Sequence, residues 1–73
     1  MSKLPVVSGK ELIKRLEKVG FQLVRQEGSH MILRREFPKM TVSVPDHKEL
    51  KRGTLRNILR HIDLPVDEFE QLK

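Results

Sequence analysis

The stretch Gly28-Ser29-His30-Met31-Ile32-Leu33-Arg34-Arg35 constrains this chain more than any other. A glycine followed by a largely apolar run reads as a tight turn feeding a β-strand. Strand side chains alternate between faces. Met31 and Leu33 therefore point toward a core, and His30, Ile32 and Arg34 point the other way. A histidine and an arginine displayed on one rigid strand, beside a glycine turn, make a candidate site for handling phosphates. The rest of the chain reads as what holds this strand and what brings a polyanion to it.

Upstream, Ser8-Gly9-Lys10-Glu11 has the form of a capping box, with Val7 and Leu12 spaced as its hydrophobic staple. Leu12, Ile13, Leu16 and Val19 make one apolar helix face, and Gly20 supplies a left-handed stop. This predicts a helix from Gly9 to Val19. Its other side carries Lys10, Lys14 and Lys18, read as a solvated face. Phe21 to Arg25 alternates as a strand, with Phe21, Leu23 and Arg25 on one face and Gln22, Val24 and Gln26 on the other. Gln26-Glu27-Gly28-Ser29 is the hairpin turn, with Gly28 at positive φ.

The second strand runs from Ser29 to Arg35. Pro38 cannot donate to a ladder, so Glu36-Phe37-Pro38-Lys39 is the next turn. Met40 to Val44 is a third strand, with Met40, Val42 and Val44 inward and Thr41 and Ser43 outward. Three strands joined by short turns form an antiparallel meander. Asp46 and Glu49 are spaced to cap a single turn. A second helix opens at Gly53-Thr54 or near Lys51. Leu55, Ile58, Leu59 and Ile62 face the core, and Arg52, Arg56 and Arg60 line the other side. Asp63-Leu64-Pro65 ends it, and Val66, Phe69 and Leu72 are spaced for a short C-terminal helix. The class is α+β in the order α-β-β-β-α. Helices cover one sheet face, and the other is open and carries His30.

Seventy-three residues imply a single domain, 1–73, with a small core. There is no cysteine to staple it. Leu4-Pro5-Val6-Val7 is too short for a signal-peptide core, and no run approaches the roughly 20 apolar residues of a membrane span. The expectation is a soluble cytoplasmic protein with no membrane partner. Lys and Arg number 15 against 10 Asp and Glu, a net charge of +5, which favours a polyanion such as nucleic acid. The aromatics are three phenylalanines alone, so backbone recognition is expected rather than a base-stacking platform.

Several segments in series resemble the HicA toxin family, the small mRNA-cleaving toxins of type II toxin–antitoxin pairs. They are Ser8-Gly9-Lys10-Glu11-Leu12, Val19-Gly20-Phe21, Gly28-Ser29-His30, Val44-Pro45-Asp46-His47 and Gly53-Thr54-Leu55-Arg56-Asn57-Ile58-Leu59. The resemblance covers almost the whole chain. It implies a double-stranded-RNA-binding-domain-like fold, metal-independent cleavage of mRNA, and a HicB-type antitoxin that masks the toxin. It also implies that His30 is the catalytic histidine. Asp63 departs from the pattern, since many relatives have glycine there.

Metal-free RNA cleavage needs the 2′-hydroxyl deprotonated, charge on the phosphate stabilised and the leaving 5′-oxygen protonated. Imidazole suits the proton transfers and cations suit the charge. His30 is the expected base or acid, assisted by Arg34 or Arg25, with Gly28 and Ser29 forming the turn beside it. His47 is the accessory candidate, against readings in which it positions its loop or sits in solvent. His61 is read as interacting with the carbonyl end of its helix. Lys51, Arg52 and Arg56 are the expected phosphate contacts, against a rival reading in which they pair with Glu49. Three histidines without cysteine or tight spacing make a poor metal site, and neither a metal nor a small-molecule cofactor is expected. A non-catalytic RNA-binding module and a protein-interaction module are the alternatives to an endoribonuclease.

Overall fold

The computed structural model describes residues 4–72. Met1 to Lys3 and Lys73 lie outside the described residues. The elements follow as α1 (Gly9–Glu17), β1 (Gln22–Glu27), β2 (His30–Glu36), β3 (Lys39–Pro45), α2 (Arg52–His61) and α3 (Val66–Glu70). The strands form one antiparallel sheet in the order β1-β2-β3. This is the α-β-β-β-α architecture expected from the periodicity, with the terminal helix present as α3.

Local chemistry sets the boundaries. Ser8 Oγ accepts from the Glu11 amide at 3.0 Å. The return contact runs from the hydroxyl to the Glu11 carboxylate at 3.5 Å, not to the Ser8 amide. Val7 and Leu12 are both buried, as the staple requires. α1 ends at Glu17, two residues before the expected Val19, and Gly20 makes the left-handed exit at φ +98°. α2 begins at Arg52. At its end Asp63 adopts φ +58°, the left-handed conformation that glycine takes at lowest cost. Asp46 to Leu50 forms no helical turn; Lys48 and Glu49 bend instead.

The core lies between the sheet and the helices. Met31 and Leu33 of β2 and Val42 and Val44 of β3 are buried against Leu12, Leu16, Leu55 and Leu59. Phe21 and Phe69 are fully buried, each worth roughly 1.5–3 kcal/mol of burial. Arginines cap both rings: Arg15 lies 4.6 Å from the Phe69 centroid and Arg35 4.7 Å from that of Phe21. His30 and Arg34 are exposed on the opposite sheet face, which no helix covers among the described residues.

One alternation expected from sequence is overturned. β1 and β2 pair Leu23 with Leu33 but Arg25 with Ile32, so Val24 is an extra residue in a bulge. A bulge reverses which face later residues take. Arg25 and Glu27 therefore share the open face with Ile32 and His30, while Gln26 pairs with Met31. The strict alternation had put Arg25 with Phe21 and Leu23.

Candidate active site

His30 opens β2, the central strand, and is exposed. It pairs with Glu27 on one side and Pro45 on the other. The turn before it is only Gly28-Ser29, and Gly28 has φ +59°. Two hydrogen-bonded ties hold this turn. The Asp46 amide donates to the Ser29 carbonyl at 2.7 Å. Gln26 Nε2 donates to the Gly28 carbonyl at 3.1 Å and to Asp46 Oδ2 at 3.3 Å. The histidine thus stands on a strand end whose backbone is fixed from both neighbours.

The same end of the sheet receives the start of α1. The Gly9 amide donates to the His47 carbonyl at 2.9 Å, and the Leu50 amide to the Val7 carbonyl at 2.9 Å. Gly9 packs so closely that a Cβ there would collide with the Pro45 carbonyl oxygen. Ser8, Lys10, Asp46, His47 and Lys48 line a depression of about 400 Å³ beside it. The fold therefore gathers Ser8-Gly9, Ser29-His30 and Asp46-His47 from three parts of the chain. His47 contributes its backbone carbonyl to this junction, through the bond from the Gly9 amide.

The expected cations divide among three places. Arg25 and Arg34 stand on the open face, and each meets a carboxylate: Arg25 Nε lies 3.3 Å from Glu27 Oε2, and Arg34 Nε 3.2 Å from Glu36 Oε1. Arg34 is four residues from His30, about 13 Å along a strand, so sharing a face does not bring the two together. Arg25 is nearer, one diagonal step across from His30. Lys51 and Arg52 are exposed at the start of α2, and among the described residues neither pairs with Glu49. That start follows Pro45 by a short loop. His61 Nε2 lies 3.1 Å from the Thr41 carbonyl oxygen, so α2 runs back alongside β3, with Arg52 toward the His30 end. His61 thus touches β3, not the carbonyl end of its own helix. Arg56 looks elsewhere, into a depression against Asp63 to Val66 in the helix layer.

Sequence reasoning missed Glu27, Gln26 and Asp46 at this site. A signal for Glu27 was present: a two-residue turn at Gly28-Ser29 makes residues 27 and 30 cross-strand partners. Nothing local marked Asp46, because its bond to Ser29 depends on where β3 ends. Among the described residues, no group of three or more His, Asp or Glu side chains is placed to hold a metal ion. No described helix is long and apolar enough to cross a membrane.

A family model described as the HicA toxin of bacterial toxin–antitoxin systems matches residues 9–64. The chain belongs to the HicA toxin family. The match runs from the Gly9 that backs onto Pro45 to the Leu64 that follows α2, so it takes in Ser29-His30 and Asp46-His47 whole and the Gly9, but not the Ser8, of the third segment gathered around His30. The role this gives the chain is that of the toxin in a toxin–antitoxin system. Of the elements described, α3 alone falls outside the HicA match. No curated protein and no solved structure matches the chain.

Proposed function

We propose that this HicA-family chain, as a single domain 1–73, is an endoribonuclease that cleaves mRNA in the cytoplasm without metal or cofactor, and that a HicB-type antitoxin neutralises it. The observation that carries the reading is an exposed histidine at the head of the central strand, on a turn held by Asp46 and Gln26.

The chemistry runs as an internal transesterification. His30 accepts the proton of a 2′-hydroxyl, and the 2′-oxygen attacks the adjacent phosphorus. The bond from phosphorus to the 5′-oxygen breaks, and that oxygen takes a proton from His47 or from water. A 2′,3′-cyclic phosphate and a 5′-hydroxyl result. Imidazole serves both directions of proton transfer near neutral pH. Lys51 and Arg52 would bind phosphate and offset the charge growing on its oxygens. Gly28 and Ser29 shape the turn against which the backbone lies. Arg25 and Arg34 can join by exchanging a carboxylate for a phosphate, because exposed ion pairs contribute only about 0–1 kcal/mol.

The test is cleavage of a long mRNA in EDTA by the parent and by His30→Ala. Cutting by the parent alone supports the proposal. RNA binding without cutting by both proteins would make the chain an RNA-binding module instead.

A further inference from the structure

We infer that Arg56, Arg60 and Asp63 form a subsite for one unstacked nucleotide of single-stranded RNA, in the helix layer and away from the open face that carries His30. The inference rests on RNA being the substrate. Its basis is a depression of about 320 Å³ between α2 and the segment leading to α3. Leu59, Leu64, Pro65 and Val66 give it an apolar lining, and Arg56, Arg60 and Asp63 complete its wall. Ligand pockets run from roughly 300 to 1,000 Å³, so this one lies at the small end of that range and has room for a nucleobase.

The charges are set out for that occupant. Arg25 and Arg34 on the open face both have carboxylate partners. Among the described residues, the side chains of Arg56, Arg60 and Asp63 have no ion pair or hydrogen bond, although all three line one depression. Arg52, Arg56 and Arg60 step along one side of α2 at about 6 Å intervals, a spacing close to that of successive phosphates in a strand. The row starts at the His30 end of the sheet and finishes at the depression. A strand whose phosphates follow it delivers a base to the apolar lining. A duplex cannot, because its bases are stacked and paired.

Asp63 makes the assignment specific. It holds the left-handed position, φ +58°, where glycine would be less strained. A carboxylate beside two guanidiniums opposes a polyanion in general, but it accepts hydrogen bonds from the N–H groups on a base edge. Electrostatics alone and a base subsite therefore predict opposite signs for its removal.

The experiment measures binding of a labelled single-stranded oligoribonucleotide and of the same sequence in a duplex, all in a His30→Ala background so that RNA stays intact. Removing Arg56 and Arg60 should weaken single-strand binding about tenfold and reduce its salt slope by about 0.7 per arginine, with duplex binding changed much less. Asp63→Gly should weaken single-strand binding several-fold while the melting temperature holds or rises. Equal losses for strand and duplex would overturn the subsite. So would tighter or unchanged binding by Asp63→Gly, and so would no single-strand binding by the parent. Cleavage in EDTA by the His30-intact protein is scored separately. Cleavage that needs His30, together with any of these overturning results, removes the subsite and leaves the nuclease. Absence of cleavage removes the nuclease whatever the binding shows.

Discussion

Glu27 sits directly across from His30, joined to it through the two-residue turn, and its carboxylate lies 3.3 Å from Arg25 Nε. An imidazole, a carboxylate and a guanidinium thus occupy one corner of the open face. The carboxylate is the natural group to orient the ring or to stabilise its protonated form after it has taken a proton. Glu27→Gln keeps the shape and removes the charge. The expected result is a fall in kcat of roughly tenfold or more, with KM unchanged or lower because Arg25 is released to phosphate. An unchanged kcat would reduce Glu27 to a surface partner of Arg25.

His30→Ala should abolish cleavage, with a loss of at least about a hundredfold in kcat. Stability should stay within about 0.5 kcal/mol of the parent, because the side chain is exposed. Urea denaturation alongside the cleavage assay checks both parts. Lost activity with a shifted unfolding midpoint would point to misfolding and not to chemistry.

Gly9 and Gly28 should fail for different reasons. A Cβ at Gly9 would strike the Pro45 carbonyl oxygen, so Gly9→Ala forces α1 away from β3. The expected cost is about 1–3 kcal/mol, together with weaker activity as the His47 loop shifts. A Cβ at Gly28 would meet nothing, but the residue holds φ +59°. Gly28→Ala should cost about 1 kcal/mol through torsion alone. Urea midpoints for the two variants test the ranking.

RNA affinity should fall steeply with salt. Each of Lys51→Ala and Arg52→Ala should lower the slope of log affinity against log salt by about 0.7 on single strands. Among the described residues neither side chain has an ion pair to lose, so neither change should shift the melting temperature. A slope that does not change would place both residues outside the RNA interface.

Phe69→Ala should cost about 3–5 kcal/mol, although α3 is only Val66–Glu70 and lies beyond the matched family span. The ring is fully buried and lies under the Arg15 guanidinium. Arg15 Nη1 is itself buried without a hydrogen-bond partner, so loss of the ring leaves that nitrogen more poorly compensated. A thermal melt close to the parent's would show that α3 only rests on the core.

The elements were legible because their signals are local. Ser8 and Glu11 announced α1, Gly28 announced the first hairpin, and the spacing of Leu55 to Ile62 announced α2. The bulge at Val24 was not legible. Nothing in Gln22 to Glu27 distinguishes an extra residue from regular alternation, and only pairing with β2 reveals that Arg25 crosses to the open face. For the site, His30 and its exposed face could be read from β2 alone. The distribution of the cations could not, since ion pairing of Arg25 and Arg34 and the direction in which Arg56 looks depend on packing between elements.

The bonds from Gly9 to His47 and from Asp46 to Ser29 join residues far apart in the chain. The first hairpin closes a very short loop, but the end of the sheet around His30 is sealed only when residues near position 47 return to residue 9. Closing so long a loop costs entropy before any contact repays it. The hairpin that holds His30 therefore rests on local contacts, and the ties around it on long-range ones. A chain that stops before Asp46 can still pair Glu27 with His30, but it lacks both bonds that tie the turn and the start of α1 around that pair.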